Sequence, residues 1–409
     1  MVLSTYVLAV DVGTSRTAAS TARVTAAGNV EVARFALGRH ADSAPSAVFI
    51  GPDELLFGEA AERRGLAQPE RLVREFKRRL GDDIPVVVGG RAHPPEELFA
   101  GMVAWVVDAV AEREGRHPES IIATVPVAWG DYRRRLAFEA LSRALSCQVE
   151  LISEPVAAAW HYESTSPLAD GQVLAVYDLG GGTFDVALVG KTHDGELTAI
   201  GAAAGIGDFG GADFDDLILR RTIAAAGLSA AELAGDPDAR VALAALRREC
   251  VEAKEALSFD SEAAIPLLLS GAGTTVRMTR AGFEELIEHD IERTLDVLQS
   301  TLDSAAIGRR LEAILLTGGS SRIPRIAQLL SERFDAPIAV DADPKAVVAL
   351  GAARVLLDHT LAPRQAADDG AEHDRIVLLG EAGAAAPTAS PMPTPIGAAT
   401  RRRWLRRLP

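Results

Sequence analysis

At 409 residues the chain is too long for one compact core and suits two lobes or more. With 48% apolar and 24% charged residues it has an ordinary soluble globular balance. The net charge of −15 argues against general nucleic-acid affinity, because a phosphate backbone needs a basic face. The charge is uneven: residues 361–409 hold seven Arg and five Asp or Glu, about +2, which leaves about −17 on the rest. Cys147 and Cys250 lack metal or redox spacing and read as buried free thiols of helical stretches in a reducing compartment. No basic segment precedes the first apolar run, which ends in Asp11, and no uncharged apolar stretch reaches about 18 residues. Neither a signal peptide nor a spanning helix is therefore expected, and the default location is the cytoplasm.

Residues 1–58 are rich in β-type segments separated by turn residues, beginning with the apolar run Val7 to Thr14, VLAVDVGT. From about 59 to 147 helical periodicity dominates, interrupted by IPVVV from Ile84 and the strand IIATVP from Ile121. A helix, EPVAAAWHYE, is followed by a β-rich run from Val173 through Gly201. Residues 216–310 are mostly helical, with a β insertion around Ala264–Met278. The strand AILLTGG, the helix RIAQLLSERF, the strand APIAV and the helix AVVALGAARVLLD close the globular part. Strands alternating with helices imply a mixed α/β protein with covered sheets. After Leu361 an Ala-, Pro- and Asp-rich composition reads as linker or disorder.

The run VLAVDVGT returns slightly enlarged as VLAVYDLGGGT, Val173 to Thr183. Each copy is an apolar strand with an aspartate near its end, a glycine turn and a hydroxyl. Bare backbone N–H groups in such turns approach phosphate, and strand-end carboxylates hold a hydrated metal. Two copies therefore suggest two lobes closing on a metal-bound nucleoside triphosphate. Three consecutive glycines weaken a strand unless backbone must pass close to something. Other elements of the same kind are Lys77 in FKRRLG, taken as a basic helix end, Glu154 before Pro155, and LLTGGSSRIP from Leu315. Two familiar motifs fail. GIGDFG at Gly205–Gly210 has no second strand with a terminal acid about 20 residues on. Gly190-Lys191-Thr192 lacks the opening glycine of a phosphate loop, where Asp185 stands.

In this order and spacing, DVGTS, FKRRLG, ISEPVAAAW, VYDLGGGTFDV and LLTGGSSRIP resemble the ATPase domain of the heat shock protein 70 family. That domain belongs to the actin-like ATPase superfamily, and the resemblance covers roughly residues 5–358. It implies a two-lobed, ribonuclease H-like α/β fold with a cleft between lobes: lobe I over 1–171, with an insertion at about 40–115, and lobe II over 172–360, with one at about 212–300. It implies ATP or ADP and Mg²⁺ as cofactors. Asp11 and Asp178 would hold the metal through its water shell. Gly13, Thr14, Ser15 and Gly180, Gly181, Gly182 and Thr183 would clasp the phosphates. Lys77 would be the catalytic lysine, with Glu154, Thr183 and Asp185 completing the network around the attacking water. Gly210, Gly211, Lys254, Ser258, Gly318, Gly319, Ser320 and Arg322 would line the nucleotide pocket. Pro126 and Arg134 match a proline–arginine relay of nucleotide state.

Departures fall on the nucleoside side. Ala212 and Val251 stand where the family carries acids, and Glu255 where a basic or apolar residue is common. Pro344-Lys345-Ala346-Val347 replaces a Pro-Asp-Glu-Ala segment, and Arg16 follows the first turn. ATP binding weaker than the family's is expected, since each lost charged hydrogen bond costs about 1.5–3 kcal/mol. Nanomolar ATP binding in calorimetry would contradict it.

The residues after Asp358 are too few for a client-gripping domain. DRIVLLG, Asp374 to Gly380, resembles an interdomain linker, and the basic end RRRWLRRLP reads as a solvated tail or a weak anionic-membrane or partner contact. The expected function is slow Mg²⁺-dependent ATP hydrolysis serving a chaperone-related or regulatory switch that acts through protein partners such as a co-chaperone or client adaptor. The alternatives are a nucleotide-gated binding module with negligible turnover and, less favoured, a small-molecule kinase of the same superfamily.

Overall fold

The computed structural model describes residues 5–38, 41–228, 237–269, 272–305, 311–341, 346–361 and 378–379. Pro344, Lys345, the Pro-rich stretch and the basic end lie outside these residues, as does all of DRIVLLG except Leu378 and Leu379. Nine helices and nineteen strands are described. The N-terminal half contains β1 (Tyr6–Val12), β2 (Arg16–Val24), β3 (Val30–Phe35), β4 (Ala44–Pro45), β5 (Val48–Ile50), β6 (Leu55–Phe57), α1 (Gly58–Gly65) and β7 (Leu72–Val73). A 3-10 turn, Phe76–Arg79, leads to β8 (Val86–Val88), β9 (Arg91–His93), α2 (Pro95–Glu114), β10 (Ser120–Val125), α3 (Asp131–Ala144), β11 (Gln148–Ser153) and α4 (Glu154–Glu163). The second half contains β12 (Val173–Leu179), β13 (Phe184–Lys191), β14 (Leu197–Ile206), α5 (Gly211–Ala225), α6 (Pro237–Leu257), the hairpin β15 (Glu262–Leu269) and β16 (Ala272–Thr279), and α7 (Arg280–Ser304). It ends in β17 (Leu311–Thr317), α8 (Pro324–Arg333), β18 (Ile338–Val340), α9 (Val347–Leu361) and β19 (Leu378–Leu379).

The repeated motif is one copy of a larger repeat. The first sheet runs β19-β11-β10-β1-β2-β3, with β4 on β2, and the second runs β14-β13-β12-β17-β18. In each sheet three antiparallel strands meet two parallel ones in the same order: β3-β2-β1-β10-β11 corresponds to β14-β13-β12-β17-β18. The central strands β1 and β12 are buried along almost their whole length, as expected for strands covered on both faces.

The two sheets are joined by an exchange of helices. α9, from the end of the chain, packs on β1, β2 and β10 of the first sheet, while α4 packs on β12, β13 and β14 of the second. α4 and α9 also pack on each other, and one apolar core takes residues from both sheets and both helices, among them Val7, Ile122, Val156, Ala158, Val176 and Leu356. The crossing is close because its residues are small. A Cβ on Gly351 would run into the carbonyl group of Ala157 and come within 3.0 Å of His161 N.

Two expectations change. Lys77 does not end a basic α-helix; it lies in the 3-10 turn Phe76–Arg79, which Leu80 closes in extended conformation. Cys250 is buried in α6, whereas Cys147 is half-buried and follows α3, on the way into β11, rather than lying in a helix. Of the linker-like segment, Leu378 and Leu379 pair in parallel with Leu151 and Ile152 on the free edge of β11. No described helix is long and apolar enough to cross a membrane.

Candidate nucleotide site

The two glycine turns close two hairpins in the same way. Gly13 N–H donates to Arg16 O at 3.0 Å, and Gly180 N–H donates to Thr183 O at 3.0 Å. Asp11 faces Ala18 across the first hairpin, and Asp178 faces Asp185 across the second, so the repeat carries an extra carboxylate in its second copy only. The parallel neighbours add a threonine at each aspartate. Thr124 Oγ1–H donates to Asp11 Oδ1 at 2.6 Å; Thr317 pairs in register with Asp178, and its buried hydroxyl has no hydrogen-bond partner.

The turns meet. A Cβ on Gly181 would strike Ser15 Oγ, and one on Gly182 would lie 2.6 Å from Thr14 Cγ2. Behind the second turn the start of α5 is pinned to it: Gly211 N–H donates to Gly180 O at 2.9 Å and Ala212 N–H to Gly181 O at 2.7 Å. A Cβ on Gly210 would sit 2.5 Å from Gly182 N. The loop after β17 seals the other side. Ser320 Oγ–H donates to Gly180 O at 2.9 Å, and Gly318, at φ 79°, leaves no room for a side chain against Asp178 and Leu179 O. Gly319 opens the 3-10 turn Gly319–Arg322. Glycine is thus demanded here by backbone approach rather than by chain flexibility.

A cluster of charged side chains gathers around Lys77 beside the aspartates of both hairpins. Lys77 is 6% exposed, and its Nζ donates to Glu154 Oε1 at 2.5 Å and lies 6.0 Å from the centre of the Trp129 ring. Burial alone would lower the lysine's pKa. Glu154, Asp11 and Asp178 outweigh that and hold it above its ordinary value. The carboxylates show the reverse imbalance. Burial, and secondarily Glu154, push Asp185 up to about 7; burial, with Lys77 opposing, pushes Asp11 up to about 6. Asp178 is raised well above the usual carboxylate range by burial and by the neighbouring Glu154, Asp185 and Asp11. One ammonium thus faces four carboxylates, Glu154 and Asp185 buried and Asp11 and Asp178 half-buried, a set that lacks positive charge.

This imbalance carries a prediction. Asp185 binds its proton more tightly in the folded chain, so its penalty is absent below its ordinary value of 3.8 and complete above about 7. The ligand-free protein therefore loses stability as pH rises through that window. Asp185→Asn removes the penalty and gains on the order of 2 kcal/mol at pH 8 but almost nothing at pH 4, read as a pH-dependent rise in melting temperature over wild type. A variant no more stable than wild type at pH 8 would show that Asp185 is not held ionised against a cost.

The remaining expected residues lie further out. Lys254 Nζ is occupied by the protein itself, donating to Gly211 O and to Asp215 Oδ2, both at 2.8 Å, and so ties α6 to the start of α5. Ser258 Oγ–H turns back to Lys254 O at 3.4 Å. Arg16, Asp42 and Ser43 of the first half, and Glu255, Arg322 and Ala346 of the second, face one cleft of about 270 Å³. Arg16 is anchored there, its Nε donating to Ser43 Oγ at 2.7 Å and Nη2 to Ser43 O at 2.5 Å. A separate cavity of about 290 Å³ between α5 and α7 is lined by Asp208, Asp216 and Arg220 and contains none of the expected phosphate or metal residues. Sequence reading missed Thr124 and Asp215. Both occupy ordinary strand or helix positions, and only the pairing of β1 with β10 and the packing of α5 on α6 give them a role.

Among the described residues no three His, Cys, Asp or Glu side chains converge closely enough to ligate a metal by themselves. The residues present nevertheless fit a hydrated divalent cation and a phosphate chain. They combine surplus buried carboxylate, the orphaned hydroxyl of Thr317 and turns whose backbone a Cβ would fill.

Two sheets of matching strand order, joined by exchanged helices, with facing glycine turns and strand-end aspartates at their junction, define an actin-like ATPase domain. A family model described as Hsp70 protein matches residues 82–369, well over half of the chain, and the chain belongs to the Hsp70 family. The match includes Glu154, the second turn and the Gly318–Arg322 loop. It begins after the first turn and Lys77, so their place beside the other residues is seen in the structure. Members of that family are in general ATP-binding ATPases.

Proposed function

We propose that the chain hydrolyses ATP slowly with Mg²⁺ and uses the cycle as a switch on protein partners of the co-chaperone or client-adaptor type. The observation that carries this reading is Lys77, buried among Asp11, Glu154, Asp178 and Asp185 where the two turns meet. Residues 1–171 and 172–360 act as the two lobes. Gly13 and Gly180 close the two turns, so that Thr14 and Ser15 from one, and Gly181, Gly182 and Thr183 from the other, present backbone N–H and hydroxyl groups to the phosphates. Asp11 and Asp178 orient the water shell of the metal. When bound, Mg²⁺ neutralises charge on the terminal phosphates. Lys77 supplies positive charge to the transferring phosphoryl group, while Glu154, Thr183 and Asp185 orient the attacking water and Asp185 or Glu154 accepts its proton. Little covalent work falls to the protein; positioning and electrostatics supply the rate.

Gly210, Gly211, Ser258, Gly318, Gly319, Ser320 and Arg322 shape the nucleoside side, where Lys254 braces the wall through Asp215. A binding module without turnover is the second reading, favoured by the altered cleft that Arg16 and Glu255 line together with Arg322. Phosphate release under excess ATP separates the two. Release dependent on Mg²⁺ and above the buffer rate supports the enzyme. Release at the buffer rate from protein that binds ATP identifies the module.

A further inference from the structure

Arg78 follows Lys77 and has no place in the scheme so far. It stands on the 3-10 turn Phe76–Arg79 of the first half, yet its side chain lies against the second half. A Cβ on Gly182 would meet Thr14 Cγ2 at 2.6 Å, Arg78 Cδ at 3.2 Å and Arg78 Nη1 at 3.4 Å. The arginine thus crosses the junction and covers the last glycine of the second turn. Two features hold it there. Glu75 is the one described non-glycine residue with positive φ, at 54°, a conformation that a residue with a Cβ adopts at a cost of about 1 kcal/mol or more. This left-handed step starts the turn, with Arg78 N–H donating to Glu75 O at 3.1 Å, and the Glu75 carboxylate takes Arg78 Nη1 at 3.1 Å. A guanidinium has five N–H donors in a rigid fork, so a single contact through Nη1 leaves donors suited to a phosphate oxyanion. Its side chain is 22% exposed, whereas the neighbouring Lys77 is 6% exposed.

We infer that Arg78 reads the terminal phosphate of the nucleotide: it is the cation that distinguishes a nucleoside triphosphate from a diphosphate and ties the two lobes together over Gly182. The inference rests on the ATP-site reading above. Lys77 and the carboxylates serve the chemistry; Arg78 serves recognition of the γ-phosphate.

The test is calorimetric binding of MgATP and MgADP to the full chain as wild type, Arg78→Gln and Arg78→Lys, together with the ligand-free melting temperature of each. Arg78→Gln is expected to lower the ratio of ATP to ADP affinity about tenfold, the scale of one lost charged hydrogen bond, with ADP affinity within about twofold of wild type. Arg78→Lys, which keeps the charge but not the fork, should fall between, and it carries the test if the glutamine variant fails to fold. A ratio equal to wild type, or ATP and ADP weakened together alongside a lower ligand-free melting temperature, overturns the inference and leaves Arg78 as a brace for Glu75. Absence of any nucleotide binding by wild type overturns the ATP-site reading itself, and the inference with it.

Discussion

Lys77→Ala is expected to hydrolyse ATP about 10²–10³-fold more slowly than wild type, the usual loss when one preorganised charge donor is removed from a transition state. The same change unfolds the ligand-free protein more easily. Lys77 is the ammonium set among Asp11, Glu154, Asp178 and Asp185, and its 2.5 Å bond to Glu154 is buried. Removing one partner of a buried pair leaves an uncompensated charge and costs about 3–5 kcal/mol. The loss is greatest at high pH, because the remaining carboxylates escape by taking up protons, and they do so more readily as pH falls towards their raised values. Melting at pH 8 and pH 5 reads this directly: the gap between variant and wild type narrows at the lower pH. A variant with wild-type phosphate release removes Lys77 from the chemistry. One with a pH-independent gap removes it from the charge cluster.

Gly351→Val is the second large effect, and it acts at a distance from the nucleotide site. The position that its Cβ would take is filled by the Ala157 carbonyl group and lies 3.0 Å from His161 N. These are backbone atoms of α4, so no rotamer change relieves the overlap, and α4 and α9 must separate. Overpacking of a closed core costs about 1–3 kcal/mol, and more where backbone must move. Because α9 lies on the first sheet and α4 on the second, separation opens the core that both sheets share. A drop of several degrees in melting temperature is expected, with weakened MgATP binding even though no contact at the turns is altered. Wild-type stability in Gly351→Val would mean that the helices do not cross this closely.

Much of the fold could be read before the structure. The repeat of VLAVDVGT in VLAVYDLGGGT marked both central strands and both turns, and alternation of strands and helices placed most elements. What the pattern hid is where elements go in space. α4 and α9 are alanine-rich, and small residues signal neither an exposed nor a buried face, so their exchange between sheets and the role of Gly351 left no mark on periodicity. The repeat also concealed its own asymmetry, since Asp185 corresponds to Ala18 only once the strands are paired. Lys77 read as a helix end because FKRRLG is basic and helix-compatible; the left-handed step at Glu75, which turns it towards Glu154, has no glycine to announce it. Lys254 matched a nucleotide-lining position, yet Asp215, which engages it, comes from a different helix, and sequence spacing does not reveal such a pair.

The account turns on one claim, that Asp11, Asp178 and the two glycine turns form a site for a metal-bound nucleoside triphosphate. The most direct measurement is ATP binding by calorimetry to the full chain with Mg²⁺, with EDTA, and to an Asp11→Asn, Asp178→Asn double variant with Mg²⁺. The account predicts saturable binding by wild type with Mg²⁺, weakened at least about tenfold by EDTA and to the same degree by the double variant. Equal ATP affinity in all three would contradict it.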